Sequence, residues 1–271
     1  MLGYIYSSGE FINKDINKAI YHLTFSANHN AKAQFYLGGI YYDGKLVEKD
    51  VNKFMFYFTL SANQNYSDAQ LNVGSIYYLG EYVKRDVNKA IYYLTLSAKQ
   101  NNSIAQLCLG NIYHRGEYVT RDVNKAIYYL TLSANQNNIN AQYYLGEINL
   151  FGQYIPKDMD RAIYYFTLAA NKGHDDSQFY LGLIYDKGWN EVKSDINKSM
   201  HYLTLSANQN NQAACYVLGL IYLNGKFFKI DIQKAIYYFT RSADQNNKYA
   251  QYRLGCIYLE NKHISSFGEK I

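Results

Sequence analysis

The side chains able to act as nucleophiles, proton carriers or soft metal ligands are six histidines, His22, His29, His114, His174, His201 and His263, and three cysteines, Cys108, Cys215 and Cys256. Zinc hydrolysis of the HExxH type needs two histidines one helical turn apart with a glutamate between them, and none of the six has that or another metal-binding spacing. No cysteine stands beside a histidine in sequence, no GxSxG elbow occurs, and no GxxxxGK[ST] loop is present to cradle a phosphate. The expectation is of no catalytic residue, no metal site and no cofactor, hence of a protein that is not an enzyme. Three cysteines without regular pairing also argue against a secreted disulfide framework and for a reducing compartment.

A second set of residues has types suited to recognition. After each recurring Leu-Gly pair the chain carries Gly39, Ser75, Asn111, Glu147, Leu183, Leu220 and Cys256. Three residues further on, and on the same face of a helix, come Tyr42, Tyr78, His114, Leu150, Asp186, Leu223 and Leu259. Next to these lie Asp43, Leu79, Arg115, Phe151, Lys187, Asn224 and Glu260. Aromatic, charged and amide side chains alternate along a frame that otherwise repeats, which is how a partner-reading face would look. The candidate binding residues are Tyr42, Asp43, Ser75, Tyr78, Asn111, His114, Arg115, Glu147, Phe151, Asp186, Lys187 and Asn224; the competing reading is drift on an unused solvated face.

What must position them is a repeat. RDVNKAIYYLTLSANQNN from Arg121 nearly copies RDVNKAIYYLTLSAKQNN from Arg85, a return after 36 residues that holds across the chain. Fixed periods of this length mark stacked helical units, each of which leaves an apolar face bare until its neighbour covers it. Gln34, Leu37, Gly38 and Tyr41 have the spacing of one helix face, called helix A, and the recurring glycine predicts close contact between two helix backbones. Helix B follows, with Ala126, Ile127, Leu130, Ser133 and Ala134 on one stripe beside Tyr128 and Tyr129. Asp15, Asp50, Asp86, Asp122, Asp158, Asp195 and Asp231 stand where a carboxylate would cap helix B. Gly9, Gly44, Gly80, Gly116, Gly152, Gly188 and Gly225 stand where helix A should end. Asn65, Asn101, Asn137, Gly173, Asn210 and Asn246 close helix B, an Asn and Gly exchange expected of a left-handed residue. Seven complete B helices and about as many A helices follow.

The order AQxxLGxIYxxG, a loop ending in Asp, then KAIYYLTLSA resembles the Sel1-like repeat family, a TPR-related group of α-solenoids, over nearly the whole chain. The resemblance implies an all-α fold, a right-handed superhelix of about seven helix-turn-helix repeats, with helix A lining the concave face. It also implies an adaptor role in protein complexes. The chain departs from the family in the A to B loop, where Leu46, Tyr82, Tyr118, Tyr154 and Phe227 replace a small pair, and in helix B, where Tyr128 and Tyr129 replace Trp-Tyr. Both changes predict more aromatic packing between repeats. The paired cysteines of family members linked to β-lactam binding are missing.

Tyrosine supplies 32 of the 271 positions, enough apolar mass for a core, and the repeat runs as one array from the start to about residue 261. A net charge of +5 is spread through the repeats and is too mild to select nucleic acid or membrane. Arg85, Lys89, Arg121 and Lys125 each flank an aspartate, and Tyr92, Tyr128, Tyr164 and Tyr237 keep one slot, as core or inter-repeat packing does. No signal peptide or span of about 20 apolar residues is seen. The expected location is the cytoplasm, or the host cytoplasm were the gene viral. Met1 enters at a Leu-Gly pair in mid-helix, Asn261 replaces a closing glycine, Phe267 replaces a capping aspartate, and residues 262 to 271 read as an irregular tail. The expected function is a non-enzymatic scaffold or adaptor binding a protein or peptide on the helix A face. The alternatives are an assembly module that self-associates through uncapped ends and, less favoured, a binder of nucleic acid or anionic lipid.

Overall fold

The computed structural model describes residues 15–189, 192–225 and 229–268, with side chains described as far as 259. Fourteen helices and no strand lie within the described residues. In chain order they are α1 (Ile16–Ser26), α2 (Ala31–Asp43), α3 (Val51–Asn63), α4 (Ser67–Leu79), α5 (Val87–Lys99), α6 (Ser103–Arg115) and α7 (Val123–Asn135), followed by α8 (Ile139–Phe151), α9 (Met159–Ala170), α10 (Asp175–Lys187), α11 (Ile196–Asn208), α12 (Gln212–Asn224), α13 (Ile232–Ala243) and α14 (Lys248–Gly268). Odd-numbered helices are the B type and even-numbered ones the A type. The fold class is an all-α solenoid, divided into two compact units, Met1–Ala141 and Gln142–Ile271.

Local chemistry sets each boundary. Every B helix begins at its aspartate, whose Oδ1 accepts the backbone N–H three residues on at 2.9–3.0 Å. A helices close on Gly44, Gly80, Gly116, Gly152, Gly188 and Gly225 at φ between 57° and 68°. The asparagines after the B helices are left-handed too, with Asn137 at φ 66° and Gly173, in the same slot, at φ 88°. Gly9 and Phe227, like Met1, lie outside the described residues. At the other end α14 is helical to Gly268, beyond the point at which an irregular tail is expected. Asn261 stands where the other A helices carry their terminating glycine, so nothing there turns the chain into the left-handed region.

Within unit 1 each A helix packs on the B helix that follows it. A Cβ added at Gly38, Gly74 or Gly110 would meet Phe58, Leu94 or Leu130 at 2.5–2.8 Å. In unit 2 Gly146, Gly182 and Gly219 meet Phe166, Leu203 and Phe239 at 2.6 Å. The close approach is thus first to a buried B-helix side chain, with backbone behind it, such as the Ala90 carbonyl 3.1 Å from the Gly74 position. The expected close approach of two helix backbones is therefore present, and the glycine is in addition a socket for a leucine or phenylalanine. Its counterpart in α14, Gly255, faces open space.

Polar clamps complete the interfaces. Gln70 is buried; its Nε2 donates to the Ala62 carbonyl of the preceding B helix, and its Oε1 accepts from Gln100 of the next at 2.8 Å. Gln34 and Gln106 do the same in unit 1, and Gln178 in unit 2. Ser61, Ser97 and Ser133 each donate from a buried hydroxyl to a carbonyl in the first turn of an A helix. Buried amides and hydroxyls left unpaired would each be destabilising by about 1–3 kcal/mol, so these bonds fix one packing arrangement.

Candidate binding faces of the two units

In unit 1 the A to B loops fold back to make walls. Tyr82 packs edge-on against Tyr42 at 5.7 Å and Phe54 at 5.4 Å, while Lys49 donates to its hydroxyl at 3.1 Å. Tyr118 meets Tyr78 edge-on at 5.9 Å, and Arg85 lies 4.3 Å over the Tyr118 ring. The same guanidinium donates to the Tyr78 and Leu79 carbonyls at 2.9 Å, the last exposed acceptors of α4. Loop aromatics therefore pack between repeats, as expected of residues that replace a small pair.

Between these walls lie two clefts. The smaller, about 90 Å³, is lined by Tyr42, Phe58, Asn72, Ser75, Ile76, Leu79 and Tyr82. The larger, about 300 Å³, is bounded by Ser75, Tyr78, Leu79, Leu94, Cys108, Asn111, Ile112 and Arg115. Four predicted residues, Ser75, Tyr78, Asn111 and Arg115, thus meet around one apolar floor. Arg115 is exposed and reaches Glu117 at 3.7 Å. Asp43 and His114 line neither cleft: Asp43 pairs with Lys45 at 3.2 Å, and His114 is half-buried. Its Nδ1 is buried without a hydrogen-bond partner among the described residues, and burial, with Arg121 and Arg115 nearby, holds its pKa below the ordinary histidine value.

Unit 2 fills the same slots differently. Glu147 is half-buried and accepts from the Tyr143 hydroxyl; burial raises its pKa above the usual carboxylate value, and Asp176 adds to the rise. Tyr180 stacks on Phe166 at 5.2 Å, meets Phe151 edge-on at 5.8 Å and lies 6.2 Å from Tyr143. His174 sits 4.6 Å from Tyr143 and caps α10 by accepting the Ser177 N–H at Nδ1, so that nitrogen carries no proton. Asp186 is half-buried, Lys187 lies 5.4 Å over Trp189, and Asn224 is exposed. A shallow depression of about 520 Å³, lined by Tyr185, Val192, Lys193, Ser194, Asp195, Ile196 and Lys198, contains none of the predicted residues. Leu150, placed on the outward stripe by spacing, is instead 3% exposed and belongs to the core with Phe166 and Leu181.

One feature of helix B reverses the sequence reading. Tyr92, Tyr128, Tyr164 and Tyr237 are not core residues; they are 55–60% exposed. The second tyrosine of each pair takes the inner position: Tyr93 stacks on Tyr77, Tyr129 on Tyr113 and Tyr238 on Tyr222, with planes within 7° of parallel. Consecutive residues on a helix point about 100° apart, so burying one member exposes the other. That rotation was the available signal. Two of the four flanking cations meet the expected aspartates, Lys89 with Asp86 at 3.6 Å and Lys125 with Asp122 at 3.2 Å, and lie over Tyr77 and Tyr113 respectively, whereas Arg85 and Arg121 donate to backbone carbonyls. Among the described residues no His, Cys, Asp or Glu cluster could hold a metal ion, and no helix is long and apolar enough to cross a membrane.

Comparison with known proteins matches the sequence model of the Sel1 repeat to residues 1–30, 31–66, 67–102, 103–138, 139–174, 175–211, 212–247 and 248–260. Among solved structures, a protective antigen of uropathogenic Escherichia coli strains with an SLR fold is 29% identical, superposes at a TM-score of 0.89 and is covered over 96% of this chain and 56% of its own. A Sel1 repeat protein from Oxalobacter formigenes is also 29% identical, with a TM-score of 0.77 over 94% of this chain and 74% of its own. This chain therefore spans little more than half the length of the E. coli protein. No curated protein sequence matches.

Proposed function

Because the chain belongs to the Sel1 repeat family, whose members are in general protein-interaction modules, we propose that it is a non-enzymatic scaffold that holds an extended segment of a partner protein on the A-helix face of unit 1. The observation that carries this reading is the cleft of about 300 Å³ in which Ser75, Tyr78, Asn111 and Arg115 converge. Leu79, Leu94, Cys108 and Ile112 offer an apolar floor for one side chain, the Asn111 amide and Ser75 hydroxyl offer donors and acceptors for backbone, and Arg115 offers a cation at the rim. Apolar floors with a few convergent polar groups suit peptide anchors.

The test begins with peptides selected on the full chain from a random display library. Replacing Asn111 by Ala together with Arg115 by Glu is expected to weaken the selected peptides at least about tenfold, the effect of losing one charged and one neutral hydrogen bond. Helicity should stay unchanged, because Arg115 is exposed and Asn111 only half-buried. Equal affinity of the double variant and the wild type would remove the cleft from the function.

A further inference from the structure

The geometry points to a second site, in unit 2, that takes the cationic end of a lysine or arginine side chain from a protein partner against the outward surface made by Tyr143, Glu147, Phe151, Tyr180 and Asp176. It does not depend on the unit 1 cleft. The starting observation is a carboxylate in an uncompensated place. Glu147 is half-buried, its one hydrogen-bond donor is the Tyr143 phenol, and no Lys or Arg pairs with it among the described ion pairs. A second carboxylate, Asp176, lies close enough to raise the pKa values of both Glu147 and Tyr143. Asp176 accepts one bond, from the Asn211 amide at 2.9 Å, and otherwise faces solvent.

The other walls are aromatic. Phe151, Tyr180 and Tyr143 form a connected group with centroids 5.8 and 6.2 Å apart, and Phe151 is 50% exposed, so the group opens outward. Ring faces carry negative quadrupole potential and attract cations, most strongly where water is partly excluded. A desolvated carboxylate is disfavoured unless a positive charge or further donors reach it. The Tyr143 phenol satisfies one lone pair of the Glu147 carboxylate, whereas burial of that carboxylate and the nearby Asp176 disfavour the anion alone and favour it with an alkylammonium or guanidinium beside it.

Other repeats do not share the arrangement. The slot of Glu147 is held by Gly39, Ser75, Asn111, Leu183, Leu220 and Cys256, none of them acidic. The scaffold has no need of a carboxylate there. His174 supplies no competing cation, because its Nδ1 is an acceptor and burial depresses its pKa.

The test titrates the full chain, labelled in its tyrosine rings, with the blocked tripeptides Gly-Arg-Gly, Gly-Lys-Gly and Gly-Gln-Gly, following the Tyr143 and Tyr180 resonances by NMR. Saturable shifts are expected with the arginine or lysine peptide and none with the glutamine peptide. Glu147→Gln keeps the shape and the phenol bond and should weaken binding about tenfold or more. Phe151→Leu, at a half-exposed position that folding tolerates, should weaken it about two- to fivefold. Three results would each overturn the proposal: shifts with all three peptides alike, no shift with either basic peptide, or a basic peptide bound equally by Glu147→Gln and wild type.

Discussion

The groove between α4 and α6 and its counterpart between α8 and α10 are built on the same slots and come out opposite. In unit 1, Ser75 and Cys108 are small, Leu94 lies beneath, and a cleft of about 300 Å³ stays open with Arg115 at its edge. In unit 2 the same slots hold Glu147 and Tyr180 over Phe166, and the stacked rings occupy the space. Volume at two positions decides whether the face offers a pocket or a filled aromatic wall, and the filled wall takes water away from a carboxylate. Apart from α14, caps, stops and glycine sockets are alike in both units, so recognition can change without touching the frame that carries it.

The comparison is broken most severely by exchanging the two small and large residues. Tyr180→Cys removes a ring that touches Phe166, Phe151 and Tyr143, and should destabilise unit 2 by about 2–3 kcal/mol in denaturant unfolding, toward the low end for large-to-small changes because Tyr180 is only half-buried. It should also bring the Glu147 pKa back toward 4.5, read by carboxyl NMR, since water would reach the carboxylate. The reverse exchange, Cys108→Tyr, fills the unit 1 cleft. Peptides selected on the wild type should bind at least about tenfold more weakly, while stability changes by no more than about 1 kcal/mol because the ring enters open space.

Smallest is the pH dependence of Glu147→Gln. Burial raises the folded pKa of Glu147 above its unfolded value, so the native state favours the protonated form. The stability that protonation confers is fully present below the ordinary carboxylate value of 4.5 and is lost as pH rises through the raised folded value. Glu147→Gln, always neutral, should match wild type in melting temperature near pH 4 and exceed it increasingly as pH rises, until Glu147 is fully ionised. The groups facing Glu147 are Tyr143, Tyr180 and Asp176, none of them cationic, so no partner reverses the sign. A melting temperature for Glu147→Gln below that of wild type at pH 8 would mean that the carboxylate is satisfied in unit 2 by some other contact.

Helix ends were legible in the sequence because single residues make them. Asp122 can cap only from where it stands, and Asn137 adopts a left-handed φ that few other residues take cheaply. Orientation was harder to read. Tyr128 and Tyr129 have the same type and adjacent positions, so period alone assigns them to one stripe, whereas the stacking of Tyr129 on Tyr113 decides which turns inward. Leu150 shows the converse, since its slot carries exposed Tyr42 in another repeat and the core takes it because it is aliphatic beside Phe166. Four of the seven candidates in unit 1 converge on the larger cleft beside the small Cys108 of α6, a juxtaposition of two helices that no single stripe contains.

The buried glutamine clamp described for Gln70 and Gln178 also bears on how the array comes apart. A stacked array behaves approximately as a one-dimensional chain whose cooperativity is set by the coupling between adjacent repeats. Each amide that donates backward and accepts forward adds to that coupling. At position 215 the clamp is a cysteine, whose thiol reaches the Ala207 carbonyl at 4.0 Å and offers the next helix no acceptor amide. Arg241, where related repeats have leucine, spans the gap by donating to the Ala207 carbonyl and to Asn210 Oδ1 at 2.6 and 2.7 Å. At that junction Arg241 stands in place of the internal amide relay, beside the Ser242 hydroxyl, which donates to the Gln212 carbonyl at 2.9 Å, so a solvent-reaching cation carries the coupling that a buried amide carries at Gln70 and Gln178.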